Sequence, residues 1–256
     1  MMDRFRLVYL KSTGSEKSFD ESFRSEEAPI MARKPSPSSG APPTLKTFSS
    51  EAILKYAKSD LKHPDPKIRI SAIKYYLEKS YPSIPLSLLH EILSDPDPEV
   101  RVQALYSLMK YRNPTVSSLV KKHLKDSDPK VRIVALRGMF QFGEKVDLNV
   151  LIQFLSDESP WVRRKMATLL GWNQREGALP ILMELSKDQD VMVKKAALFS
   201  LMTLYPEEGE ERLMEAMTDS DSDLRIWVRG TLDKIIATPL KGGRLLSEIR
   251  LKAKNR

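Results

Sequence analysis

The sequence predicts an all-α chain, a solenoid of six stacked two-helix repeats. Three observations predict it. A phrase seen in full as DPDPEVRVQAL at residues 95–105 occurs, with variations, six times along the chain. Aligned on its cation, it places Arg69, Arg101, Arg132, Arg163, Lys194 and Arg225 at steps of 32, 31, 31, 31 and 31 residues. Between the phrases, apolar residues recur at the helical period, and a fixed period of this length is the mark of a repeat architecture.

The elements follow in chain order. Residues 1–48 read as a disordered, flexible lead: Ser, Pro, Gly and charges mix without apolar periodicity, as in KPSPSSGAPPT, so too little surface can be buried to offset chain entropy. The apolar run Leu7 to Leu10 is too short for a secretory core. Met31 offers a second start point, and N-terminal sequencing would decide whether residues 1–30 are translated.

Residues 49–240 form the repeats. Each opens with a short apolar-periodic helix, exemplified by SLLHEILS, SLVKKHLK, NVLIQFLS, PILMELSK and RLMEAMTD. An Asp-rich turn follows, with His63, Asp95, Asp126, Asp157, Asp188 and Asp219 at its start. Two residues on stand Asp65, Asp97, Asp128, Ser159, Asp190 and Asp221, which are placed to cap the second helix. Proline then occupies the first helical position in four repeats, at Pro66, Pro98, Pro129 and Pro160, where its missing N–H costs nothing.

Along the second helices, Val100, Ala104, Leu105 and Leu108 fall on one arc at 100° per residue. Val131, Ala135, Leu136 and Met139 repeat it, as do Val193, Ala197, Leu198 and Leu201. A small residue at the second of these positions lets helices approach closely, with Met166 and Val228 departing from the rule. One helix pair alone buries too little to fold, so the units must stack. Residues 241–256 read as a basic amphipathic segment whose Leu245, Leu246, Ile249 and Leu251 cap the last repeat.

Composition narrows the chemistry. There is no cysteine, which removes disulfides, thiolate metal sites and a thiol nucleophile. No apolar run is long enough to span a membrane, so a cytoplasmic chain is expected. The net charge is +8, but residues 49–240 hold 28 basic against 27 acidic side chains. Basicity belongs mainly to the two ends, which argues against broad phosphate neutralisation by the repeats.

The motif D-x-D-P-x-V-R-x-x-A-L at a 31-residue period, over residues 49 to about 237, resembles the HEAT repeat in its short, bilin-lyase-like form. That resemblance implies a right-handed α-α superhelix of the armadillo-like helical kind. It says little of function, because similar repeats serve scaffolds, enzymes and nucleic-acid binders.

The repeated cation lies at the edge of the apolar arc, facing the neighbouring unit, near a helix N-terminus where a positive charge needs compensating carboxylates. We therefore read Asp97, Arg101, Asp128, Arg132, Asp157, Arg163, Asp190, Lys194, Asp221 and Arg225 as a structural ladder, not a phosphate site. Metal chemistry lacks ligands. The histidines are His63, His90 and His123, and the single His90-Glu91 pair cannot supply the several His-Glu pairs of the di-iron HEAT-repeat deoxyhypusine hydroxylases. No G-x-S-x-G and no glycine-rich phosphate loop appear, and KGGR at 241–244 is a lone turn. No catalytic residue, metal or cofactor is expected.

The outward arc of the second helices is more informative. It carries Arg137, Trp161, Arg164, Lys165, Trp172, Lys195, Phe199 and Trp227, including all three tryptophans of the chain. Aromatic anchors interleaved with cations on a concave face fit a protein-binding surface for a partner segment of acidic character. The expected function is a non-catalytic scaffold or adaptor. Two other readings remain open: a groove for nucleic acid, which resembles the HEAT-like DNA glycosylases, and the tetrapyrrole handling of the bilin-lyase family. For the first, Asp223 is the single outward aspartate; for the second, no pigment-specific motif is present.

Overall fold

The computed structural model describes residues 55, 59–80, 85–111, 114–142, 148–173 and 177–237. The lead expected over 1–48 and the capping segment expected over 241–256 lie outside the described residues. So does most of the first helix of repeat one. Among the described residues the chain is helical and turn, with no strand.

The helices alternate short and long. They are α1 (Pro66–Ser80), α2 (Leu86–Leu93), α3 (Pro98–Leu108), α4 (Pro114–Lys122), α5 (Pro129–Gln141), α6 (Leu148–Ile152), α7 (Pro160–Trp172), α8 (Leu179–Leu185), α9 (Val191–Leu204), α10 (Pro206–Glu215) and α11 (Ser222–Ala237). Even-numbered helices open a repeat and odd-numbered ones close it. The fold is an all-α helical-repeat solenoid, and the chain divides into two compact units, residues 1–138 and 139–256.

The turns explain why helices end where they do. Three opening helices tighten into a 3-10 turn, at His123–Lys125, Gln153–Ser156 and Ala216–Thr218. The first turn aspartate then takes an extended backbone, as at Asp126 with φ −63° and ψ 146°. Its N–H donates three residues back, Asp95 to Ile92 O at 3.3 Å and Asp188 to Leu185 O at 3.2 Å. The second carboxylate caps the next helix: Asp97 accepts from Glu99 N–H at 2.8 Å, and Asp190 from Met192 and Val193 N–H at 2.8 and 3.0 Å. These bonds satisfy N–H groups that have no partner inside the helix. Ser159 makes no such side-chain bond, and α7 starts on Pro160 alone.

In the first unit α1 packs on α3, and α2 on its own α3. In the second, α7 packs on α9 and α9 on α11, with α8 and α10 both laid against α9. The apolar arc is buried in α3, α5, α7 and α9, with Leu105, Leu108 and Leu136 fully enclosed in the first unit, whereas Ile68 at the start of the α1 arc is 37% exposed. In the second unit Met166, Leu170 and Leu198 are equally enclosed, and Met166 and Val228 occupy the small-residue position without exposure. A closing helix is flanked on several sides, so burial also extends beyond the arc. Val102 and Ile133, at a nominally outward position, are 3% and 6% exposed.

Two close approaches need glycine. A Cβ at Gly209 would lie 2.6 to 2.8 Å from the Met202 N, Leu201 C and Met202 Cα atoms, so α10 crosses the end of α9 backbone against backbone. At Gly171 an added Cβ would lie 2.3 Å from Ser200 Oγ, which donates to Ala167 O at 2.9 Å and ties α7 to α9. No described helix is long and apolar enough to cross a membrane.

Since backbone atoms cannot rotate aside as a side chain can, Gly209→Ala is expected to destabilise the second unit by about 1–3 kcal/mol. Urea unfolding of the variant, followed by circular dichroism, checks this; an unchanged midpoint would contradict the crossing described.

Candidate functional site

Two features carry the chemistry: the ladder at the turns and the outward face of α7. In the ladder, each arginine does two things at once. Arg101 donates from Nη1 to Asp95 O and Pro96 O of its own turn at 2.8 and 3.2 Å. From Nε and Nη2 it donates to Asp126 Oδ2 and Oδ1 of the next turn at 2.9 and 2.6 Å. Arg69 repeats this with His63 O, Pro64 O and Asp95, and Arg163 with Asp157 O, Glu158 O and Asp188. Lys194, lacking a fork, places Nζ 3.0 and 2.8 Å from the two oxygens of Asp219. Arg132 and Arg225 show the same clamp on their own turns, to Asp126 O and Ser127 O and to Asp219 O and Ser220 O.

The ladder uses different carboxylates from those the sequence reading counts in it. Asp97, Asp128, Asp190 and Asp221 each cap a helix N-terminus with Oδ1 and stand in the ladder only as neighbours. The gripping residues are Asp95, Asp126, Asp188 and Asp219, the first aspartate of each turn. The physical reason is direction. The residue before the helix aims its oxygen along the helix axis at free N–H groups, while the one two places earlier faces the preceding repeat. Asp157 belongs to this first set, and its Oδ1 accepts from Ser159 N–H at 2.9 Å.

A signal for this was available in the sequence. The first aspartate recurs in five repeats and is replaced only by His63, and 25 residues upstream of His63 stands Ser38, not a cation. His63 keeps the local half of the job, with Nδ1 accepting from Asp65 N–H at 3.0 Å.

The pairs are largely withdrawn from water. Arg101 and Asp126 side chains are 11% and 9% exposed. Burial opposes ionisation of Asp126, but the bonds from Arg101 and the Asp128 N–H outweigh it and hold the carboxyl below its ordinary value. Asp188 is held down in the same way by Arg163 and the Asp190 N–H. For Asp219 the Lys194 bond is the leading cause of a like depression.

On the outward face, α7 brings four of the expected residues together. Trp161 is 51% exposed, and the Arg164 guanidinium lies 5.8 Å from its ring centroid. Trp172 is 39% exposed, with Lys165 Nζ 5.5 Å from its ring. Lys195 and Phe199 stand half-buried on the adjoining α9, and Trp227 half-buried on α11. Arg137 belongs to the first unit, where it lies 5.8 Å from the ring of Tyr106.

Three residues were beyond the sequence reading. Tyr106 holds the same register as Arg137, one repeat earlier, so the pair spans consecutive closing helices. Met192 and Ile226 fall at the registers of Trp161 and of Arg164 and Lys195, and Ile226 is 67% exposed. In the first unit a crevice of about 420 Å³ has Leu61, Ile73, Leu88, Ile92 and Val100 on its apolar walls. Its polar rim includes Arg69 and Asp95, already engaged with each other. Among the described residues no group of three or more His, Asp or Glu is arranged to hold a metal ion.

A family model described as HEAT repeats matches residues 50–140, 116–202 and 148–233. The chain belongs to the HEAT-repeat family. Solved structures similar to this HEAT-repeat chain include the complex of CpcE and CpcF of phycocyanin lyase from Nostoc sp. PCC7120. It has a TM-score of 0.47 and 19% identity, covering 78% of this chain and 80% of that one. A designed armadillo repeat protein in complex with the peptide (KR)4 matches with a TM-score of 0.43 and 18% identity, over 70% of this chain and 98% of that one. An engineered protein matches with a TM-score of 0.42 and 18% identity, over 72% and 96%. No curated protein matches the chain. Repeats of this family are common in protein-binding scaffolds, and the ladder is how this member joins one repeat to the next.

Removing one partner of a buried pair strands the other charge. Asp126→Asn is therefore expected to cost about 3 kcal/mol of stability, measured by denaturant unfolding. The depressed carboxyls of Asp126, Asp188 and Asp219 also set a pH window. Their contribution is present above the ordinary carboxylate value of about 4 and is lost as pH falls through their lower folded values. Thermal midpoints should thus drop steeply below about pH 4, and less steeply when Asp126 and Asp188 are both Asn. Parallel profiles for the two proteins would contradict the assignment.

Proposed function

We propose that the protein is a non-catalytic scaffold or adaptor that binds a protein segment of acidic character on the outward face of α7 and α9. One observation carries the reading: two solvent-exposed tryptophans on one helix, each with a cation against its ring. An exposed Trp is a costly residue to leave in water, and two on one helix, flanked by Arg164, Lys165 and Lys195, make a surface with apolar anchors and positive rims. Stacked cations hold the indoles in place, which lowers the ordering cost that a partner must otherwise overcome. Trp and Arg are also the residues in which binding energy tends to concentrate.

The nearly balanced charge of residues 49–240 supports a protein segment over a polyanion. Duplex DNA would require positive charge spread along a track, whereas on α7 Arg164 and Lys165 each lie against an indole.

The test uses an eight-residue peptide of alternating Glu and Leu, titrated against the full chain while tryptophan emission is followed. Saturable quenching is expected, weakened at least tenfold by changing Trp161, Arg164 and Lys165 together to Ala, with an unchanged helical spectrum. Equal binding by the two proteins would remove the face from consideration. A duplex bound more tightly than the peptide, with affinity falling steeply in salt, would shift the reading to nucleic acid.

A further inference from the structure

Arg225 closes the ladder with half of its contacts. Its Nη1 donates to Asp219 O at 2.7 Å and Ser220 O at 2.9 Å, as in the inner repeats. The Nε and Nη2 edge, which in Arg69, Arg101 and Arg163 grips an aspartate 25 or 26 residues further on, meets no carboxylate among the described residues. The neighbouring surface is uncovered as well. Ile226 is 67% exposed, while Val102 and Ile133 at the same register are 3% and 6%. A methyl added at Gly230 would meet nothing within 4 Å.

The sequence beyond α11 carries the phrase that supplies such a carboxylate elsewhere. Ile92-Leu93-Ser94-Asp95 and Phe154-Leu155-Ser156-Asp157 end two opening helices, with Ile92, Leu93 and Phe154 buried. Residues 245–248 read Leu-Leu-Ser-Glu. Glu248 follows Arg225 by 23 residues, and its side chain is one methylene longer than aspartate, which makes up reach. It is the one acidic residue between 238 and 256. Every other charged side chain in that stretch is basic, so Glu248 is the one side-chain carboxylate there that can answer a guanidinium.

We propose that residues 245–248 dock on the uncovered side of α11, with the Glu248 carboxylate accepting from Arg225 Nε and Nη2 and Leu245 and Leu246 covering apolar surface beside it. The tail then acts as an incomplete seventh opening helix that closes the stack. A second copy of the chain is a poorer occupant, because its first repeat offers His63 where the ladder needs a carboxylate.

The experiment compares the full chain with Glu248→Gln, Arg225→Gln and the double variant. Each single change should lower the thermal midpoint by about 2–4 °C, and the double should fall no further than the lower single. Amides of Leu224 to Leu232 should exchange hydrogen several-fold faster in Glu248→Gln, with residues 86–108 unchanged. Since Glu248 lies beyond the helices of the repeats, its substitution leaves folding of the solenoid intact and carries the test alone if Arg225→Gln misfolds. Wild-type midpoint and exchange in Glu248→Gln, or additive losses in the double variant, would overturn the docking. So would a midpoint that depends on protein concentration and is lost with Arg225→Gln only, which assigns the edge to a second chain.

Discussion

One guanidinium holds two levels of structure together. In Arg101 the Nη1 group fastens the turn that precedes its own helix, and the opposite edge fastens the first aspartate of the next repeat. That aspartate is itself committed locally, since Asp126 Oδ1 accepts the Asp128 N–H at 3.0 Å. Local turn and inter-repeat contact therefore share atoms. Neither can shift without disturbing the other, and a slip of one residue between repeats would leave a fork and a carboxylate both buried and unmatched.

The pair does not have to add net stability to matter. Desolvating two ions costs several kcal/mol, and an apolar replacement of equal volume often does as well. What the apolar core lacks is direction. Leu105, Leu136 and Leu198 would pack against a neighbour in many registers, whereas a bidentate fork accepts one. Lys194, a point charge in place of the fork, shows the looser form of the same contact, with Asp219 22% exposed against 9% for Asp126.

With register assigned to the turns, the outward positions are free to differ from repeat to repeat. One register reads Glu99, Lys130, Trp161, Met192 and Asp223 in successive closing helices. Glu99 and Lys130 pair with each other, and Trp161 has Arg164 of its own helix against its ring. A scaffold that separates stacking from surface in this way can carry an aromatic and basic face in one unit without altering how the repeats join.

The sequence by itself determined the helical class, the six-fold repetition, most of the buried arc and the capping of those closing helices that an aspartate precedes. These are properties of the chain over a few residues or at a fixed period, so composition and spacing contain them. The division of labour within each aspartate pair was decided only by the tertiary structure. Whether a carboxylate caps or grips depends on which way it points and what stands 25 residues away in the chain yet a few ångströms away in space. Exposure was decided the same way. Val102 and Ile226 share a register, and only the presence or absence of a covering neighbour makes one core and the other surface. Periodicity names positions, but neighbours assign their roles.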